Sequence, residues 1–323
     1  MRRGSVAVLI FVLLWFAGRW MIPRLGLVWL ITHLDYRRQT DLYVDPRPVE
    51  IAGYSGSAME PFISPDGMFL LFNNASGEEG DVNDSPKRMY FASRTGALSF
   101  RFLGELPGVN AHIAGSRTDA AVPSLDARGR LYFTSDRQYR KDRNSIFVGD
   151  FNGRAVTNVH AVEGDISDPG TPGQINLDMG ISPDGETLFV SRASVGPFGL
   201  LSRLLGRPLE FHLLEARREG DRFNLDPKSA QTLKNVDSGF EYAPAVSRDG
   251  LELFFSRGPR IMVASRSSVD HPFDEPRVLS ALTGEHAEAP TISLDSKELF
   301  FHQAVSGKCC AIFRAARNPD LQR

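Results

Sequence analysis

One phrase recurs five times along the chain, and it constrains the fold more than any other feature. Pro61-Phe62-Ile63-Ser64-Pro65-Asp66-Gly67 is followed by Phe69-Leu70-Leu71-Phe72. The phrase returns as Ser124-Leu125-Asp126 with Gly129 and Leu131-Tyr132-Phe133, and as Ile181-Ser182-Pro183-Asp184-Gly185 with Leu188-Phe189-Val190. Two further copies are Val246-Ser247-Arg248-Asp249-Gly250 with Leu253-Phe254-Phe255, and Ile292-Ser293-Leu294-Asp295 with Leu299-Phe300-Phe301. The five aspartates are spaced by 60, 58, 65 and 46 residues. A repeat of this length marks a solenoid or a ring of small sheets.

The phrase has a local mechanical meaning. Proline presets φ for a tight turn, aspartate bonds the nearby backbone, and glycine takes the left-handed position. Each copy therefore predicts a hairpin of two short strands, A and B. A third run (C) follows each hairpin: 89–94, 146–149, 213–217, 261–266 and 312–317. A fourth (D) ends at a glycine in the first four units: 102–106, 159–162, 233–236 and 278–282. The fifth unit lacks it, while a matching run, 46–53, precedes the first hairpin. A ring whose last sheet is completed by the N-terminal strand accounts for this offset and leaves no open stack edge. The expected fold is all-β: a five-bladed β-propeller of four-stranded blades, starting near residues 58, 119, 177, 241 and 287 and closed by strand 46–53.

The Ser-Pro-Asp-Gly hairpin followed by Leu-Phe-Phe resembles the TolB-type WD-like β-propeller repeat, over nearly all of residues 46–317. That resemblance implies a propeller common among exported bacterial proteins, often facing the periplasm and contacting envelope partners. It is specific for fold and weak for function, because such propellers serve as scaffolds, ligand binders and enzyme accessory domains.

At 323 residues, length alone suggests two domains. The repeat instead gives one propeller (39–323) after an N-terminal segment (1–38). Met1-Arg2-Arg3 precedes an apolar run over 6–18, the pattern of an export signal or of an uncleaved hydrophobic helix. The segment predicts an exported protein of the cell envelope or periplasm, tethered to the inner membrane. Without residues 1–38 the chain has 31 basic against 38 acidic residues, a net charge of −7, which disfavours nucleic acid. The only cysteines, Cys309 and Cys310, are adjacent, which excludes a disulfide framework and a four-ligand zinc site. They are expected as free thiols, both buried or one of them exposed.

Strand alternation sorts the loops onto two faces. The long ones (75–87, 136–143, 193–209, 109–118 and 165–176) all fall on one face, the default place for binding. An acid precedes or opens each strand A: Glu60, Asp119, Asp178, Glu241 and Glu288. These acids read as blade-to-blade hydrogen-bond acceptors, as an acidic mouth for a cationic ligand or basic partner, or as the carboxylates of a glycoside-hydrolase-like enzyme. His112, His286 and Tyr242 fall near the same mouth. Phe198, Leu200 and Leu204 lie in an apolar, basic insertion that either folds over the blade as extra core or docks a partner or a membrane surface. All three Trp, at 15, 20 and 29, precede the propeller; Tyr54, Phe62, Phe198 and Tyr242 remain as aromatic platforms. No resident metal or cofactor is expected, with Ca²⁺ at Asp165, Asp168 and Asp178 the exception considered. The expectation is a monomeric propeller that binds a protein partner or small ligand on its long-loop face and is not an enzyme. The alternative is a carbohydrate-active hydrolase using the mouth carboxylates.

Overall fold

The computed structural model describes residues 38–75, 86–110, 118–138, 145–167, 174–194, 211–282, 284 and 286–321. The export or anchor segment, His112, Asp168, Phe198, Leu200 and Leu204 lie outside the described residues. No helix among the described residues is long and apolar enough to cross a membrane.

Five antiparallel sheets follow in chain order. Blade one comprises Ala58–Ile63 (A), Phe69–Asn74 (B), Met89–Arg94 (C) and Ser99–Glu105 (D). Blade two is Ala120–Leu125, Arg130–Ser135, Ile146–Phe151 and Val156–Ala161. Blade three is Gln174–Ile181, Thr187–Ser194, Phe211–Glu219 and Arg222–Leu225. Blade four is Glu241–Val246, Glu252–Arg257, Ile261–Ser265 and Arg277–Leu279. Blade five takes Glu288–Ile292, Glu298–Val305 and Lys308–Arg317 as A to C, and its outer strand is Tyr43–Pro48. The five strands A together line one central channel.

Strand B carries the Leu-Phe-Phe runs because a propeller blade is covered on both faces. Leu70, Leu71 and Phe72 are all fully buried, as are Leu253, Phe254 and Phe255 and Leu299, Phe300 and Phe301. A strand between two neighbouring sheets reads as a continuous apolar run instead of alternating with polar residues.

Ring closure occurs as expected, but two runs are assigned differently. Tyr43–Pro48 closes blade five, pairing Tyr43 with Arg317 and Pro48 with Phe313, in place of the expected 46–53. Tyr43 is the reason: its ring is fully buried against Phe254, and its hydroxyl donates to the Ser296 carbonyl at 2.7 Å. Glu50–Ala52 runs instead parallel to Ser99–Glu105 on the outer edge of blade one. In blade three the outer strand is Arg222–Leu225, not 233–236. Gly220, at φ +64, turns the chain directly from C to D, and Leu233 and Val236 follow a short helical turn into the core beside Phe255 and Phe273.

The second hairpin is built differently from its siblings. In blades one, three, four and five the serine nitrogen bonds the carbonyl five residues on, and the serine oxygen accepts that residue's N–H. In blade two Asp126 takes the serine's place: Gly129 N–H bonds its carbonyl, and its carboxylate accepts Arg128 and Arg130 N–H, both at 2.9 Å. The second copy is thus shifted by two residues. This places Val122, not a carboxylate, level with Glu60.

Candidate acidic site at the channel mouth

A shared irregularity shapes strand A where it reaches the mouth. Glu60, Val122, Ala243 and Ala289 sit at φ +49, +55, +51 and +52, and each precedes a proline. The ladder skips both residues in each strand. Proline cannot donate to the ladder, so a bulge forms and twists the strand. Blade three departs from this. Met179 stands in the proline's place, the irregularity moves to Leu177, and Asp178 pairs in register with Ser191. Gly180 follows because the strand runs close to blade four: a Cβ there would lie 2.1 Å from the Pro244 carbonyl oxygen.

Above these bulges opens a cavity of about 570 Å³. Glu60, Asp178 and Glu288 line it from three blades, with Lys87, Asp119, Asp136, Ser145, Phe211 and Tyr242 around them. Lys87, Asp119, Asp136 and Phe211 border the stretches expected as long loops, so the cavity opens beside them.

The carboxylates divide by environment. Burial pushes Glu60 up, but the Lys87 ammonium at 2.7 Å outweighs it and holds the carboxyl below the ordinary range. Its Oε2 is buried without a hydrogen-bond partner. Asp178 goes the other way: burial and the nearby Glu60 charge raise it to about 7, against weaker help from Lys87 and the Ala243 N–H. Glu288 is also raised, by burial first, although Tyr242 and His286 favour its charged form. Lys87 stays cationic despite burial because Glu60 faces it. It is held from both sides, its N–H donating to Asp119 and its carbonyl accepting from Ala120.

Two of the five predicted acids do other work. Glu241 is fully buried away from the cavity; its carboxylate accepts from Arg257 Nε at 2.6 Å and from the N–H groups of Ser238, Gly239 and Phe240. It stands two positions before the bulge residue Ala243, and Tyr242 between them lines the mouth instead. Asp119 reaches the rim, where it binds the Lys87 backbone. His286 is exposed, with Nδ1 3.7 Å from Glu288. Tyr54 packs among Phe72, Tyr90 and Phe102 in blade one, and Phe62 lines the narrow apolar channel below the mouth, so neither is a platform at the cavity. Tyr242 is one, beside Phe211 with ring centroids 5.7 Å apart.

Lys87, Phe211 and His302 were not read from sequence. Lys87 and Phe211 stand outside the repeated phrase, where no period marks them. His302 carried a signal: it occupies the fifth place of strand B, which holds Asn73, Thr134, Ser191 and Ser256 in the other blades. Asp165 accepts the Leu225 N–H at the outer strand of blade three, far along the sheet from the inner-strand Asp178, so these two acids do not form the considered Ca²⁺ set. Among the described residues no three His, Cys, Asp or Glu are grouped to hold a metal. Cys309 is exposed and Cys310 buried, both free.

No protein-family model matches the chain, and no curated protein matches it in sequence. Solved structures match it in fold. A family 117 glycoside hydrolase of Zobellia galactanivorans superposes with a TM-score of 0.56 at 12% identity, covering 88% of this chain and 94% of its own. Another glycoside hydrolase gives 0.53 at 11% identity, covering 89% and 94%. TolB from Acinetobacter baumannii gives 0.42 at 12% identity, covering 82% of this chain and 55% of its own. At such identities the common property is architecture: this chain is an all-β, five-bladed propeller of four-stranded blades, two of which gain a short fifth strand.

Proposed function

We propose that the channel mouth binds a carbohydrate and hydrolyses a glycosidic bond by acid–base chemistry. The carrying observation is that Glu60, Asp178 and Glu288 converge on one cavity from three blades while their environments push their protonation apart. Two carboxyl groups, one ionised and one protonated near neutral pH, are what glycosidic cleavage needs. Asp178 is the acid that protonates the departing oxygen. Glu60 is the ionised partner, which activates water or stabilises positive charge developing at the anomeric carbon. Tyr242 and Phe211 offer a sugar an aromatic wall.

Hydrolysis of a panel of aryl glycosides and neutral oligosaccharides tests this. Turnover by the wild type, with Asp178→Asn losing at least about 100-fold in kcat, supports it. Full activity in Asp178→Asn overturns the assignment of the acid. The absence of turnover across the panel, with saccharide binding retained in calorimetry, leaves the second reading. That reading is a binding propeller whose mouth holds a polar ligand without cleaving it, and the Lys87 clamp on Glu60 favours it. For location we propose the cell envelope, on the basic start and apolar run of residues 1–18. Recovery of the expressed full chain in the soluble cytoplasm would sink that.

A further inference from the structure

The inner strands are latched to their neighbours by one recurring position. Asn73 accepts the Val122 N–H of blade two at 3.3 Å, and Ser256 accepts the Ala289 N–H of blade five at 2.9 Å. Ser191 donates to the Glu241 carbonyl of blade four at 2.9 Å. Thr134 bonds its own blade at Ala121, and the seam it leaves is served by Ser124, which accepts the Ile181 N–H. At the seam between blades five and one the position holds His302, whose Nδ1 accepts the Glu60 N–H at 3.2 Å.

A latch alone needs one polar atom, and the other blades supply it with short hydroxyl or carboxamide side chains. Histidine brings a second nitrogen. With Nδ1 accepting, the ring proton belongs on Nε2. That nitrogen stands 3.8 Å from Glu288 Oε2, because sheet pairing sets His302 directly opposite Glu288. The ring is only 3% exposed. Burial lowers its pKa to about 4, so through the neutral range it is an uncharged donor and adds no second cation beside Lys87. At 3.8 Å the contact is longer than a hydrogen bond, yet an N–H dipole beside a carboxylate still favours the charged form. The other groups acting on Glu288 are His286 at 3.7 Å, the Tyr242 hydroxyl, and the carboxyls of Glu60 and Asp178; the Cys310 thiol in turn feels Glu288.

We propose that His302 is a positioning residue, which fixes the Glu60 backbone through one nitrogen and orients Glu288 through the other. The inference rests on the mouth being an acid–base site, and it makes the ring-closing seam part of that site. The two roles separate in one substitution. His302→Asn keeps an acceptor of the kind Asn73 provides, so the latch and the fold survive, while the Nε2–H beside Glu288 is lost and His286 and Tyr242 stay in place.

The experiment follows the Glu288 carboxyl by ¹³C NMR in the full chain, assigned with Glu288→Gln. In folded His302→Asn, melting within about 3 °C of the wild type, the Glu288 midpoint rises by about 0.5 pH unit or more. An unchanged midpoint overturns the proposal and reduces His302 to a latch. Should His302→Asn fail to fold, ¹⁵N shifts of the wild-type imidazole decide instead. A neutral ring protonated at Nε2 down to about pH 5 supports the assignment, and an Nδ1-protonated or cationic ring at pH 7 overturns it. Neither readout needs a substrate, so a failure to cleave glycosides counts against the hydrolase reading alone. Where turnover is measured, His302→Asn is expected to lower kcat about 10-fold with KM little changed.

Discussion

Strand A of blade one and strand A of blade four each carry a glutamate paired with a cation, half-buried in blade one and fully buried in blade four, and the two pairs have opposite characters. Glu241 is saturated: three backbone N–H groups, the Ser238 hydroxyl and Arg257 surround it, and Arg257 is itself tied to the Val236 carbonyl. Glu60 has Lys87 on one oxygen, with the Asn73 side chain as its weaker second partner, at a backbone φ of +49. A carboxylate whose acceptor capacity is used up by its own protein is a fastener. One set on a strained residue at the wall of a cavity, with a single cation against it, is less fully committed to the fold. The difference arises from a two-position offset along the strand. Glu241 points into the loop before blade four, and Glu60 sits on the bulge at the mouth.

The sharpest way to break this contrast is to remove each charge. Glu241→Gln leaves Arg257 buried without its counter-ion and should cost about 3–5 kcal/mol of stability. Glu60→Gln should cost about 1–2 kcal/mol, because the Lys87 side chain keeps some exposure and still faces Asp178 and Asp119. Urea melts of the two variants compare them directly, and equal losses would erase the distinction. Function should rank them the other way: folded Glu60→Gln is expected to lose at least about 100-fold in turnover or a comparable share of ligand binding. A third substitution tests the irregular blade that presents Asp178. Gly180→Ala puts a methyl group against the Pro244 carbonyl and should cost about 1–3 kcal/mol by the same melts.

The smallest effects are those of pH on stability, and their signs differ between the two mouth acids. Asp178 titrates at about 7 in the folded protein, above its ordinary value of 3.8. Its contribution is therefore fully present below the unfolded value and lost as pH rises towards 7. Glu60 is held below its ordinary 4.5, so its contribution is present above that value and lost as pH falls through the folded pKa. Melting followed from pH 4 to 8 should show a decline that flattens in Asp178→Asn. An Asp178→Asn curve parallel to the wild type would contradict the raised value.

Much of the architecture was legible because it is written locally and five times over. Ser182, Pro183, Asp184 and Gly185 make a turn from their own side chains, whatever surrounds them, and the apolar runs after each turn demand cover on both faces. The assignments that failed were those in which local signals were ambiguous. Leu233 and Val236 look like a strand ending at a glycine, and burial against a neighbouring blade accepts them equally well from a helical turn. The 46–53 run was plausible as an outer strand, but Tyr43 fills the pocket at the seam and pulls the pairing upstream.

The site was half legible for a related reason. Sequence placed acids at the head of every strand A, and three of those five, Glu60, Asp178 and Glu288, converge with changed proton affinities. It did not separate them from Glu241, because one or two positions along a bulged strand decide whether a side chain meets the cavity or the loop behind it. It also gave no hint that Asp126 replaces the turn serine, which moves Asp119 to the rim.

The sequence by itself determined the ring: hairpin chemistry, the number of copies and the displaced last strand are properties of nearby residues and of their order. Only the tertiary structure decided which acids share a cavity and which cation neutralises which charge. Only there does the fifth latch residue, His302, come to lie between two carboxylates from different blades. Charge states depend on burial and on neighbours up to 242 residues away in the chain, as from Glu60 to His302, and no local pattern encodes that distance.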